Sequence, residues 1–103
     1  MVMSKVAMVA TFRCKEGKNE EMDAALEAQV AVAAELDGVE VYSYHRGEDH
    51  TYSYFALFSS EEAIQSHGQS EALQAVMASF MELLDGRPQM AMYSPVAAFG
   101  INI

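Results

Sequence analysis

Few side chains in this 103-residue chain can move a proton near neutral pH, and His67 is the best placed of them. It lies near the end of a short helical segment that follows the aromatic run Tyr52-Ser-Tyr-Phe-Ala-Leu-Phe58. An imidazole so placed is a candidate general base, and a phenolic hydroxyl is a demanding proton against which to measure it. The match is imperfect. A phenol with pKa near 10 and an imidazole near 6.5 differ by about 3.5 units, or roughly 5 kcal/mol. A histidine in this role therefore needs a pocket that stabilises the anion or shares the proton. Tyr52 and Tyr54 are the candidate donors to such an anion, and Phe58, Met77 and Met92 the candidate apolar lining. The alternative for His67 is a helix end, where the helix dipole favours its charged form.

Other constellations are weaker. His45 and His50 flank Arg46-Gly-Glu-Asp49 and, facing each other across a hairpin, would make a Zn²⁺ or Ni²⁺ pair with Glu48 or Asp49. Two imidazoles on a solvated turn are the plainer reading, and no metal is expected. Eight methionines include Met77, Met81, Met90 and Met92, which suit either an adaptable pocket or ordinary core packing. The single Cys14 has no partner within the chain, as expected of a protein in the reducing cytosol. No phosphate loop, nucleotide fingerprint, triad spacing or carboxylate pair is present, so no cofactor is implied.

The elements that must position these residues follow from periodicity. Residues 2–14 read as a strand, 18–36 as a helix with Met22, Leu26, Val30, Ala33 and Leu36 on one stripe. Residues 39–45 and 51–58 form a hairpin. Ser59, with Glu62 three residues later, reads as a capping box for a short helix that Gly68 interrupts. Ser70 caps the next helix, 71–84, with Leu73, Val76, Met77, Phe80 and Leu84 as its apolar stripe. A last strand covers 89–98. The order βαββαβ predicts one α+β domain over residues 1–103, ferredoxin-like, with a four-stranded antiparallel sheet and helices on one face.

Half of the residues are apolar (51%), yet a chain this short buries a limited core. If the helices take one face of the sheet, Val6, Met8, Phe12, Tyr42, Tyr44, Tyr52, Tyr54, Phe58 and Met92 are expected on the other, covered by a second copy. The tail, about 97–103, would exchange with that partner. Six Lys and Arg against fifteen Asp and Glu, a net charge of −9, argue against nucleic acid and membrane surfaces as partners. No segment is long enough to span a bilayer.

Three segments give the chain a family likeness: Lys15-Glu-Gly17-Lys before an acidic helix, Glu35-Leu-Asp-Gly38-Val before a strand, and Phe58-Ser-Ser-Glu-Glu-Ala63 with His67 and Ser70. Together they resemble the antibiotic biosynthesis monooxygenase superfamily of dimeric α+β barrels. The resemblance implies a homodimer and a cofactor-independent monooxygenase acting with O₂ on a phenolic, quinol or polycyclic aromatic molecule. Its alternative is a non-catalytic small-molecule-binding or stress-response dimer of the same fold. The family commonly has Trp where Phe58 stands. In the haem-degrading branch the family pattern is Asn, Trp and His where this chain has Ala10, His67 and Met77, so the iron-ligating histidine is missing.

Overall fold

The computed structural model describes residues 4–103. Seven elements follow in order: β1 (Val6–Arg13), α1 (Asn19–Ala33), β2 (Val39–Arg46), β3 (Thr51–Phe58), α2 (Glu61–Gln69), α3 (Glu71–Leu83) and β4 (Gln89–Tyr93). The strands make one antiparallel sheet in the order β2-β3-β1-β4. This is the expected ferredoxin-like α+β arrangement. The expected first strand began at Val2, but Val2 and Met3 lie outside the described residues. The last strand is shorter than expected, ending at Tyr93 ahead of Pro95, which has no N–H for a ladder.

Local chemistry sets the element boundaries. α1 is rich in alanine and carries Glu20 and Glu21 in its first turn, where carboxylates meet the positive end of the helix dipole. It buries Met22, Ala25, Leu26, Gln29 and Ala33. Gly38, at φ +84°, turns the chain into β2. A Cβ there would sit 2.5 Å from Ala63 Cβ, so glycine also lets β2 begin against α2.

The cap of α2 is one residue later than expected. Ser60, in extended conformation, accepts a hydrogen bond from Ala63 N–H at 3.2 Å. Ser59 instead donates its backbone N–H to Gly38 O, so the expected capping box does not form. Nor does Gly68 break the helix. α2 runs through it to Gln69, because the stop comes from Ser70, whose extended backbone ends α2 and whose hydroxyl caps α3 through Leu73 N–H.

The facing of the sheet is the main correction. Val6, Met8, Ala10 and Phe12 pair with Phe58, Ala56, Tyr54 and Tyr52, and this is the side the helices cover. The core therefore holds Met8, Phe12, Tyr52, Tyr54 and Phe58, packed with Met22, Leu26, Ala63 and Phe80, and Tyr42 and Tyr44 lean on it. Aromatic rings bury more area than the small alternates Ala7, Thr11 and Ser53, so they go where helices can seal them. The face without helices instead carries Ala7, Val9, Phe55, Leu57, Val41 and Tyr93 in register, of which Ala7 and Leu57 are already buried and Val9 and Tyr93 are exposed. β4 is exposed along its whole length, Met90 and Met92 included. The tail returns to the far end of the sheet, where Asn102 O accepts from Lys5 Nζ at 2.6 Å and Lys5 also pairs with Glu40.

Candidate functional site

His67 occupies the last turn of α2 and lies half-buried against the sheet. Phe58, fully buried, sets its ring edge-on to the imidazole at 5.3 Å. The imidazole Nε2 meets the Tyr42 hydroxyl at 3.2 Å, and the two rings are tilted at 5.4 Å. Burial pulls the His67 pKa below its usual value. Burial thus favours the neutral imidazole, whose Nε2 already meets the Tyr42 hydroxyl.

Alternate positions on β2 and β3 face the same side, which brings Tyr42, Tyr44 and Tyr54 together. Tyr54 lies 5.1 Å from Tyr42 and 5.0 Å from Tyr44, ring centre to ring centre. Burial pushes all three phenols up, strongly for Tyr44 and Tyr54. Raised in this way, the phenols keep their protons at neutral pH and can donate hydrogen bonds. A neutral imidazole beside protonated phenols can take a proton and hold the resulting anion by hydrogen bonds.

The remaining expected residues divide. Phe58 and Tyr54 are in this group, and Met77 packs half-buried against the same core. Tyr52 is not free to join. Its hydroxyl donates to Asp23 Oδ1 at 2.7 Å and accepts from Asn19 Nδ2 at 3.0 Å, while its ring stacks on Phe12. Asn19 Oδ1 meets His50 Nδ1 at 2.7 Å, and Arg46 pairs with Asp23. Burial, reinforced by Asp23, raises the Tyr52 pKa. Met92 is 62% exposed on the edge strand.

The two histidines of the hairpin do not face each other. His45 pairs in register with Ser53 on the uncovered face and meets Ser43 Oγ, whereas His50 turns to Asn19 on α1. Positive φ at Asp49 and His50 (54° and 64°) sends His50 away from the sheet. Among the described residues no group of three His, Cys, Asp or Glu side chains is gathered for a metal. Cys14 is buried, and burial raises its thiol pKa.

Two surface grooves adjoin this framework. One, of about 450 Å³, lies between the β1–β3 end and the α3–β4 loop, with Arg13 and Arg87 on it. The other, of about 520 Å³, runs between α1 and β2 over Leu26, Val30 and Tyr44. Tyr52 lines both.

Sequence reasoning missed Gln29, Asn19 and Asp23. Gln29 is 0% exposed, and its Oε1 accepts from the Tyr44 hydroxyl at 2.5 Å. Its signal was present, since Gln29 stands seven residues after Met22 and four before Ala33, on the apolar stripe. Asn19 and Asp23 look like ordinary first-turn polar residues until the fold sets them beside Tyr52.

The family model for antibiotic biosynthesis monooxygenase matches residues 5–79. No curated protein matches the chain in sequence. Among solved structures, a candidate antibiotic biosynthesis monooxygenase from Caulobacter crescentus superposes with a TM-score of 0.85 at 23% identity, covering 93% of each chain. Rv0793 from Mycobacterium tuberculosis gives 0.82 at 23% identity over 92% of this chain and 98% of its own. NE2512 from Nitrosomonas europaea, of unknown function, gives 0.82 at 22% identity over 99% of each. At such identities the likeness establishes the fold alone.

Proposed function

The chain belongs to the antibiotic biosynthesis monooxygenase family, and from that premise we propose that it is a cofactor-independent monooxygenase of phenolic, quinol or polycyclic aromatic molecules. The observation that carries this reading is His67 Nε2 against the Tyr42 hydroxyl, beside buried Phe58. His67 takes the substrate's phenolic proton. Hydroxyls of Tyr42 and Tyr54 hold the anion, and Phe58 and Met77 supply an apolar wall. The anion passes one electron to O₂, the two radicals join at a ring carbon that bears hydrogen, and the peroxide anion takes back the proton held by His67. Loss of water from that hydroperoxide leaves a carbonyl, so one oxygen atom enters the product and the other leaves as water.

Burial widens the mismatch between imidazole and phenol, because it lowers one pKa and raises the other. The tyrosine hydroxyls must therefore do most of the stabilising. Phe58, which stands where the family commonly has Trp, packs its ring directly against His67. Tyr52, held by Asp23 and Asn19, and Met92, exposed on β4, stay outside this group.

Working as a homodimer in the cytosol completes the proposal. The uncovered sheet face and the exposed β4 supply the contact, with residues 97–103 reaching the partner. Incubation with a panel of hydroquinones under oxygen, free of metal, tests the chemistry. Oxygen uptake should exceed the blank and fall at least about tenfold in His67→Ala, within the usual reach of general-base loss. Uptake equal to the blank, or unchanged in the variant, removes the reading. A binding role without turnover is favoured by one observation, that His67 already has a partner in Tyr42. A ligand that raises the melting temperature and is recovered unchanged distinguishes it.

A further inference from the structure

Gln29 is the one polar residue among those that α1 buries. Its Oε1 holds the Tyr44 hydroxyl, but its Nε2 has no partner. Turning the amide over changes which end meets Tyr44 and still leaves the other unmet. A buried donor without an acceptor destabilises the free protein. Leucine here with phenylalanine at 44 would fill the same places with no polar group to satisfy, and the stripe around Gln29 is otherwise apolar.

Tyr44 links this amide to the outside. It lies on the groove between α1 and β2, whose floor is the apolar surface of Leu26 and Val30. The rim on this side is held by Arg46 and Asp23, an exposed ion pair that solvent weakens. Tyr44 gives its hydrogen to Gln29 Oε1, so its oxygen keeps lone pairs to accept with. Nε2 belongs to the same amide, buried behind Tyr44 and off the lining of the groove, so a ligand oxygen that meets it must enter past Tyr44.

We propose that Gln29 and Tyr44 form an oxygen-recognising subsite at the inner wall of the α1–β2 groove, taking the hydroxyl of an aromatic ligand. The Gln29 amide donates to the ligand oxygen, and the Tyr44 oxygen accepts the ligand's hydrogen. The ring lies over Leu26 and Val30, and opening of the Arg46–Asp23 rim admits it. A hydroxyl satisfies both groups at once. A hydrocarbon of the same shape leaves the amide unmet. The subsite rests on the proposed function only in taking an aromatic ligand, and it does not need turnover.

The experiment compares 1-naphthol with naphthalene, titrated without oxygen and followed by fluorescence and melting temperature. It uses the wild-type chain, Gln29→Met, and the double variant Gln29→Met with Tyr44→Phe. The wild type should prefer 1-naphthol by about tenfold or more, the size of one or two buried neutral hydrogen bonds. Both variants should lose that preference while still binding naphthalene. The double variant, which has no unmet polar group here, should melt no lower than the wild type and serves if the single variant fails to fold. A preference unchanged in a folded variant overturns the proposal, as does a wild type that binds neither probe. A structural role alone would lower the melting temperature of Gln29→Met and shift both affinities together. Lost preference in a chain that consumes no oxygen keeps the subsite and removes the monooxygenase reading. Oxygen uptake with the preference intact in the variants does the reverse.

Discussion

His67 couples the chemistry of the candidate site to stability. Its folded pKa lies below the unfolded value because burial disfavours the imidazolium. The unfolded chain therefore binds the proton more readily, and stability falls as pH drops from about 6.5 through the folded pKa. Lowering the pH from about 7.5 to about 5.5 should reduce the melting temperature of the wild type. His67→Asn should show a smaller drop over the same interval, measured by circular dichroism. Equal drops would place the acid sensitivity elsewhere. The same residue sets the activity profile expected of the proposed reaction, with an acid limb below the ordinary histidine range and the deprotonated form active. Gln29 makes a divided case at this scale, since its Oε1 holds the buried Tyr44 hydroxyl while its Nε2 has no partner.

At the scale of elements, the placing of His67 depends on two serines. Ser60 starts α2 and Ser70 ends it while starting α3. His67 sits one turn before that junction, and its carbonyl accepts from Ser70 N–H at 3.3 Å. Ser60→Ala should cost about 1 kcal/mol in denaturant unfolding, the usual worth of an N-cap, and loosen the imidazole from Tyr42. Ser59→Ala, which removes no cap, should cost clearly less. Equal losses would restore Ser59 as the cap. The second polar set, Asn19, Asp23, Tyr52 and His50, ties the start of α1 to the end of the β2–β3 hairpin. That linkage leaves the middle of α1 to meet β2 across a groove.

The whole molecule has a sheet with helices on one side only. Val9 is 37% exposed and Tyr93 58%, and Val9 lies on β1 between Tyr93 on β4 and half-buried Phe55 on β3 in the same face. Apolar surface of this kind marks an association site in a chain of net charge −9, which would otherwise repel its copies. Sedimentation at micromolar concentration should find a dimer. Phe55→Glu, on the uncovered face and away from the helix side, should shift it to monomer and weaken the dimer at least about tenfold, as a charge buried without a partner does. A stable wild-type monomer would reject the dimer and leave the exposed β4 unexplained.

The order of elements, the sheet's antiparallel pairing and the aromatic strand were legible in the chain because period-2 and period-3.6 patterns are local. So was Ser70 as a cap. Which face of the strands met the helices was not. Alternation separates two faces without naming them, and both faces of β1 are apolar enough to be core. Only packing decided it, by sealing the larger aromatic rings under α1, α2 and α3. The cap of α2 moved from Ser59 to Ser60 because Gly38 holds Ser59's backbone, a contact across 21 residues of sequence. Gln29, Asn19 and Asp23 were plain polar residues until tertiary structure set them beside tyrosines. His67 was known from the sequence, but its neutral state and its partner Tyr42 came from burial, which no local pattern records.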